Sequence, residues 1–96
     1  MTEMTKLITL LDSESIPYDL VDDVMGNEDN QIFYPCRENP ICDVICHQYS
    51  YGGSEGLLEI MGLVDEEEIG DTVEGYLTAT KIFSRIQRDY HTRKIN

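Results

Sequence analysis

Apolar positions recur at helical spacing at both ends of the chain. Residues 2–12 carry one apolar stripe, and Thr2 stands where a side chain can cap a helix N-terminus. A second stripe follows Thr78, which can cap another helix, and basic residues run beside it. These patterns predict an N-terminal helix and a C-terminal amphipathic helix. The two stripes consist of Met4, Leu7, Ile8, Leu10, Leu11, Ile82, Phe83, Ile86 and Tyr90.

Between these ends the pattern changes to short β-prone runs separated by turn residues. Residues 16–25 and 31–34 flank the turn composition of residues 26–30. Residues 41–49 are rich in β-branched and aromatic side chains. The runs predict a three-stranded antiparallel meander, with residues 72–77 as a candidate fourth strand.

Residues 54–62 predict a short middle helix. Ser54 can cap this helix, and Gly62 can follow its last residue in a left-handed conformation. Gly56 inside the run disfavours a helix. All elements together predict a single acidic α+β domain over residues 1–96. It contains a small antiparallel meander of three or four strands, an N-terminal helix, a short middle helix and a C-terminal amphipathic helix.

The charge of the chain excludes several functions. Its 96 residues include 19 acidic and 7 basic side chains, which gives a formal net charge of -12. A surface of this sign repels nucleic-acid phosphates and anionic lipids, so direct binding to nucleic acid or membrane is disfavoured. The chain lacks an apolar run of about 18 residues and a signal-peptide pattern, which predicts a cytoplasmic protein.

The charge is unevenly distributed along the chain. Residues 1–80 contain 18 acidic residues and two basic ones, whereas residues 81–96 contain five basic residues and one acid, Asp89. An acidic body therefore carries a basic C-terminal segment. One interpretation is that the stripe of Lys81, Arg85 and Arg88 pairs with the acidic body of a second copy, which would give a homodimer.

Three cysteines and a histidine suggest a metal site or a catalytic site at first sight. An odd number of cysteines in a cytoplasmic chain disfavours disulfides. On a strand, Cys42 and Cys46 would lie ~13 Å apart, whereas two thiolates on one zinc ion lie ~4 Å apart. Cys46 and His47 would face opposite sides of that strand, which disfavours a catalytic pair. We therefore expect structural cysteines, no metal, no cofactor and no enzymatic activity, although a helix over residues 41–49 would reopen the metal question.

A glycine-rich turn offers an alternative function. Residues 51–56 lead into the predicted middle helix, where backbone N–H groups can bind an anion. The turn matches neither the P-loop nor the dinucleotide-binding motif, and Glu55 places a carboxylate where the anion would bind. A small-molecule-binding module or sponge would use His47, Tyr49, Tyr51, Gly52 and Gly53.

Two segments resemble a group of small phage proteins. Residues 46–63, CHQYSYGGSEGLLEIMGL, and residues 73–79, VEGYLTA, are similar to proteins of unknown function encoded by phages and prophages of Gram-positive bacteria. The resemblance covers the C-terminal half of the chain. It implies a phage-type protein of the kind that binds and blocks a protein of its bacterial host.

The resemblance and the charge together predict a non-enzymatic inhibitor. Its acidic surface would imitate DNA, as anti-CRISPR proteins can, and would bind a basic host protein that handles nucleic acid or acts in defence. The alternative interpretation is that the acidic residues serve only solubility. The partner-binding candidates are Asp19, Asp22, Asp23, Glu28 and Asp29 near the first hairpin, and Asp65, Glu66, Glu67, Glu68, Asp71 and Glu74 near residue 70.

Overall fold

The computed structural model describes residues 2–21, 31–46, 52–63 and 73–95. One helix lies near the start of this part of the chain, and another lies at its end. Within these ranges, five strands pair in chain order to form one antiparallel sheet. The α+β class is therefore confirmed. The helices are α1 (Glu3–Ser13) and α2 (Ala79–Ile95), and the strands are β1 (Asp19–Val21), β2 (Gln31–Tyr34), β3 (Cys42–Ile45), β4 (Leu58–Met61) and β5 (Val73–Leu77).

The predicted N-terminal and C-terminal helices and their caps are confirmed. The Thr2 hydroxyl accepts a hydrogen bond from the Thr5 N–H at 3.1 Å, and the Thr78 hydroxyl accepts one from the Lys81 N–H at 3.4 Å. The Ala79 N–H donates to the Glu3 carboxylate at 2.9 Å, which ties the start of α2 to α1. This hydrogen bond, together with Lys6, holds the pKa of Glu3 below its usual value.

The predicted middle helix is wrong. Leu58–Met61 forms β4, which pairs with β3 on one side and with β5 on the other. Its buried positions alternate with less buried ones, and a single 3-10 turn at Gly53–Glu55 precedes it. A run of four residues is too short to distinguish the apolar period of a helix from that of a strand. The two neighbouring strands favour a strand here, because they provide backbone hydrogen-bond partners on both sides. The sheet therefore has five strands instead of three or four.

The helices cover one face of the sheet. The register places Ile32, Val44 and Ile60 in one row, and all three side chains are fully buried against α1 and α2. On the same face, the Tyr34 hydroxyl donates a hydrogen bond to the Asp89 carboxylate of α2 at 2.8 Å. Burial is the larger cause that raises the pKa of Tyr34, and the contact with Asp89 is the second. The sheet thus has one face that packs on helices and one that no described element covers.

The strand interpretation of the cysteine region is confirmed for residues 42–45. Cys42 lies in β3, the middle strand of the sheet, and its side chain is buried, while Cys36 and Cys46 are half-buried. Burial, with smaller contributions from Asp43 and Asp89, raises the pKa of the Cys42 thiol to about 12. None of the helices within the described ranges is long and apolar enough to cross a membrane.

The buried thiol gives a direct test of this placement. At about pH 8, Cys42 should stay protonated and should react with a disulfide reagent such as DTNB only after the protein is denatured, because the thiolate is the reactive form. We expect the C42S variant to keep the rapid thiol signal of the native protein, and the C36S variant to lose part of it. A rapid signal that falls in C42S would contradict the burial of this side chain.

Candidate functional site

The face of the sheet opposite the helices is the first candidate surface. It follows from the strand register, because residues that pair directly point to the same side. Its side chains are half-buried, except for Met61, which is 49% exposed. This outer face consists of a row of Asp19, Phe33, Asp43, Met61 and Val73 and a row of Val21, Gln31, Ile45 and Glu59.

The outer face combines apolar and acidic side chains. Asp19 accepts a hydrogen bond from the Arg37 backbone N–H at 2.8 Å, and Asp43 accepts one from the Gln31 amide at 3.0 Å. Both donors are neutral groups, so they orient the carboxylates without removing their negative charge. The described strands contribute no lysine or arginine to this face. It therefore suits a partner that is positively charged and partly apolar.

Most of the predicted partner-binding acids lie outside the described residues. These are Asp22, Asp23, Glu28, Asp29, Asp65, Glu66, Glu67, Glu68 and Asp71. These nine acids form two stretches, residues 22–29 and 65–71, and described residues lie on either side of each stretch. Val21 and Gln31 lie at the end of the sheet occupied by Ile45, whereas Met61 and Val73 pair near the other end. The two stretches are therefore attached to opposite ends of the outer face.

Glu74 lies on the opposite side of the sheet from the outer face. It pairs with Ile60 in the strand register and faces α2, where its two carboxylate oxygens accept hydrogen bonds from Arg85 at 3.0 and 2.9 Å. Arg85 also donates to the Leu63 carbonyl at 3.3 Å and is only 8% exposed. Glu74 thus forms an ion pair within its own chain, on the side of the sheet opposite the outer face.

The same ion pair changes the interpretation of the basic stripe. Arg85 is buried and pairs within the chain, whereas Lys81 and Arg88 are exposed. The sequence contains a signal for this difference, because Arg85 stands three residues after Ile82 and one before Ile86, within the apolar stripe of α2. Only Lys81 and Arg88 remain exposed for the predicted contact with a second copy.

The glycine-rich turn has a structural role. Gly52 has a φ of +91°, and a Cβ atom at this position would lie 2.8 Å from the Cα of Tyr76 in β5. The carbonyl of Gly52 accepts the N–H groups of Glu55 and Leu57, and that of Gly53 accepts the N–H of Gly56. The prediction that this turn leads into the N-terminus of a middle helix is wrong, since the strand β4 follows the turn. His47, Tyr49 and Tyr51, which complete the predicted ligand site, lie outside the described residues.

Residues that sequence reasoning missed complete the outer face. The alternation along β3 could have identified Asp43, because it stands between the buried Cys42 and Val44. Glu59 gave no such signal, since its segment fits a helix equally well. Among the described residues, no group of three His, Cys, Asp or Glu side chains is arranged to hold a metal ion. Comparison of the chain with protein-family models, curated proteins and solved structures finds no match.

Proposed function

We propose that this protein is a non-enzymatic, phage-type inhibitor that binds a basic host protein and occupies its nucleic-acid-binding cleft. The observation that supports the proposal is the outer face, where Phe33, Ile45 and Met61 lie among Asp19, Asp43 and Glu59, with no basic side chain from the described strands. Apolar contacts at the centre of an interface provide affinity, and acidic side chains select a cationic partner.

The size of the outer face limits how it can act. Five strands about 4.8 Å apart and about 13 Å long give a flat area of about 250 Å². A stable interface buries about 800 Å² on each partner, so the outer face alone is too small. We therefore include the predicted acids of residues 22–29 and 65–71 in the proposed contact, because the described residues on either side of them lie at opposite ends of this face.

The proposed mechanism is electrostatic competition. A DNA duplex carries one charge per ~1.7 Å of its axis, and a basic cleft binds it with release of counterions. A protein with a net charge of -12 attracts the same cleft and approaches it rapidly at low salt. Binding should therefore weaken as salt increases, and it should exclude nucleic acid from the partner.

We predict that neutralising the outer face weakens the proposed interaction. The tagged protein is used to capture bacterial lysate proteins at low salt, and proteins that salt releases are identified and purified. The D43N/E59Q variant should bind the captured protein about tenfold more weakly, which corresponds to about 1.4 kcal/mol. The E38Q/E55Q variant is the matched control, because it loses the same charge at exposed positions outside the outer face. Its affinity should change much less.

Three outcomes would contradict the proposal. The first is a captured protein that is not basic, or whose binding to nucleic acid is unaffected by the inhibitor. The second is inhibition that survives in the E66Q/E67Q/E68Q variant, since these carboxylates belong to the proposed contact. Equal losses in D43N/E59Q and E38Q/E55Q would assign the effect to net charge and not to this face.

A further inference from the structure

A groove lies along the edge of the sheet between β5 and α2. It has a volume of about 430 Å³, and β5 contributes Glu74 and Leu77 to its lining. β5 is the last strand in the sheet order, and no β4 residue lines the groove, which places it at the sheet edge. The remaining lining residues come from one face of α2 and include Lys81, Ser84, Arg85 and Arg88.

The floor of this groove is fixed and nearly neutral in charge. Arg85 and Glu74 form a bidentate ion pair, so their charges compensate each other locally. Leu77 is buried against the core and adds an apolar element to the lining. A ligand in the groove would therefore meet a rigid base and would be selected by the side chains at the rim.

The rim of the groove is positively charged. Lys81 and Arg88 are exposed, and neither forms an ion pair with any residue in the described ranges. They are seven residues apart, which corresponds to two helical turns and about 10.5 Å along the axis. Ser84 stands between them in sequence and also lines the groove. Two separated cations with a polar group between them favour an elongated anionic ligand.

We propose that this groove binds an extended acidic segment of a partner protein. In an extended chain, alternate side chains point the same way and repeat every ~6.8 Å, so positions i and i+4 are ~13.6 Å apart. Two acids at this spacing can reach Lys81 and Arg88, because both cations end flexible stems. The residue midway between the acids would lie near Ser84.

This inference is independent of the proposed function. The outer face is acidic and would bind a basic partner, whereas the groove is basic at its rim and lies at the edge of the sheet beside α2. Charge complementarity identifies the occupant: two exposed cations in a chain of net charge -12 form a local exception that attracts carboxylates. Two acids four residues apart in an extended segment define the expected motif.

The test uses a fluorescein-labelled peptide with the sequence Glu-Ser-Leu-Ser-Glu and fluorescence anisotropy at low salt. We expect saturable binding that is weakened about tenfold or more in the K81Q/R88Q variant. The K6Q/R37Q variant is the matched control, because it loses the same two positive charges at exposed positions outside the groove. Its affinity should stay within about twofold of the parent. A peptide with lysine in place of both glutamates should not bind.

Several results would overturn the inference. Equal weakening in K81Q/R88Q and K6Q/R37Q would show a nonspecific effect of net charge. Competition by tripolyphosphate without binding of the peptide would identify a phosphate site instead. If no saturable binding occurs up to about 1 mM peptide, the groove does not bind an acidic segment of this type. Salt-sensitive self-association that K81Q/R88Q abolishes would identify a second copy as the occupant. Thermal unfolding of each variant establishes that the fold is retained.

Discussion

The G62A variant should be destabilised by about 3 kcal/mol, the largest effect that we predict for a single substitution. Gly62 follows β4 and has a φ of +89°, which costs an L-residue about 1 kcal/mol or more. A Cβ atom at this position would also lie 2.5 Å from the Ile41 carbonyl oxygen and 3.2 Å from the Cys42 Cα. Both atoms belong to the backbone at the start of β3, so the two strands would have to separate.

Urea denaturation measures this effect, and the G56A variant is its matched control. Gly56 also has a positive φ, of +77°, but a Cβ atom there would meet nothing within 4 Å. Its replacement should therefore cost only the backbone strain, about 1 kcal/mol. The difference between the two variants isolates the close approach of β3 and β4. Equal unfolding midpoints for G62A and G56A would show that the strands do not meet as described.

The R85A variant should lose about 2 kcal/mol of stability because it breaks the ion pair between α2 and β5. Arg85 is 8% exposed, and Glu74 is 34% exposed at its side chain, so the remaining carboxylate would be partly desolvated without its main cation. The substitution also removes a donor from the Leu63 carbonyl. Water can reach Glu74 in part, which is why we expect less than the full cost of an isolated buried charge.

The R93A variant provides the comparison for R85A on the same helix. Arg93 also pairs with a carboxylate, that of Asp89 at 2.9 Å, but it is 61% exposed. The Asp89 side chain is 15% exposed, but it keeps the Tyr34 hydroxyl as a donor, so we expect R93A to lose about 1 kcal/mol, less than R85A. A loss in R93A as large as that in R85A would contradict the different burial of the two side chains. The E74Q variant should behave like R85A if the ion pair is the main cause.

The division of charge in the fold gives the two candidate surfaces their different chemistry. Arg85 and Arg93 lie in the basic segment but compensate Glu74 and Asp89 within the chain. The outer face retains acidic side chains, while Lys81 and Arg88 stay exposed on the groove. The sequence suggests a uniformly acidic body and a uniformly basic helix. Among the described residues the charges are more mixed, because two of the basic side chains are paired with acids of the same chain.

Local patterns predicted the N-terminal and C-terminal helices well. The apolar stripes and the caps at Thr2 and Thr78 lie close together in sequence, and each works through contacts within three or four residues. The strand at residues 31–34 and the turn after it were also predictable, since β-prone residues are followed by Pro35 and Pro40. The sequence further predicted Asp19 as a surface acid, which the register places on the outer face.

The sequence by itself determined the two helices, their caps, the α+β class and the net charge, because these depend on composition and on neighbours along the chain. Only the tertiary structure decided that Leu58–Met61 is a strand, since its backbone partners come from β3 and β5. It also paired Glu74 with Arg85 and brought Asp43 and Glu59 to one face. Each of these outcomes depends on residues distant in sequence, and a local pattern carries no information about which distant segment will lie beside it.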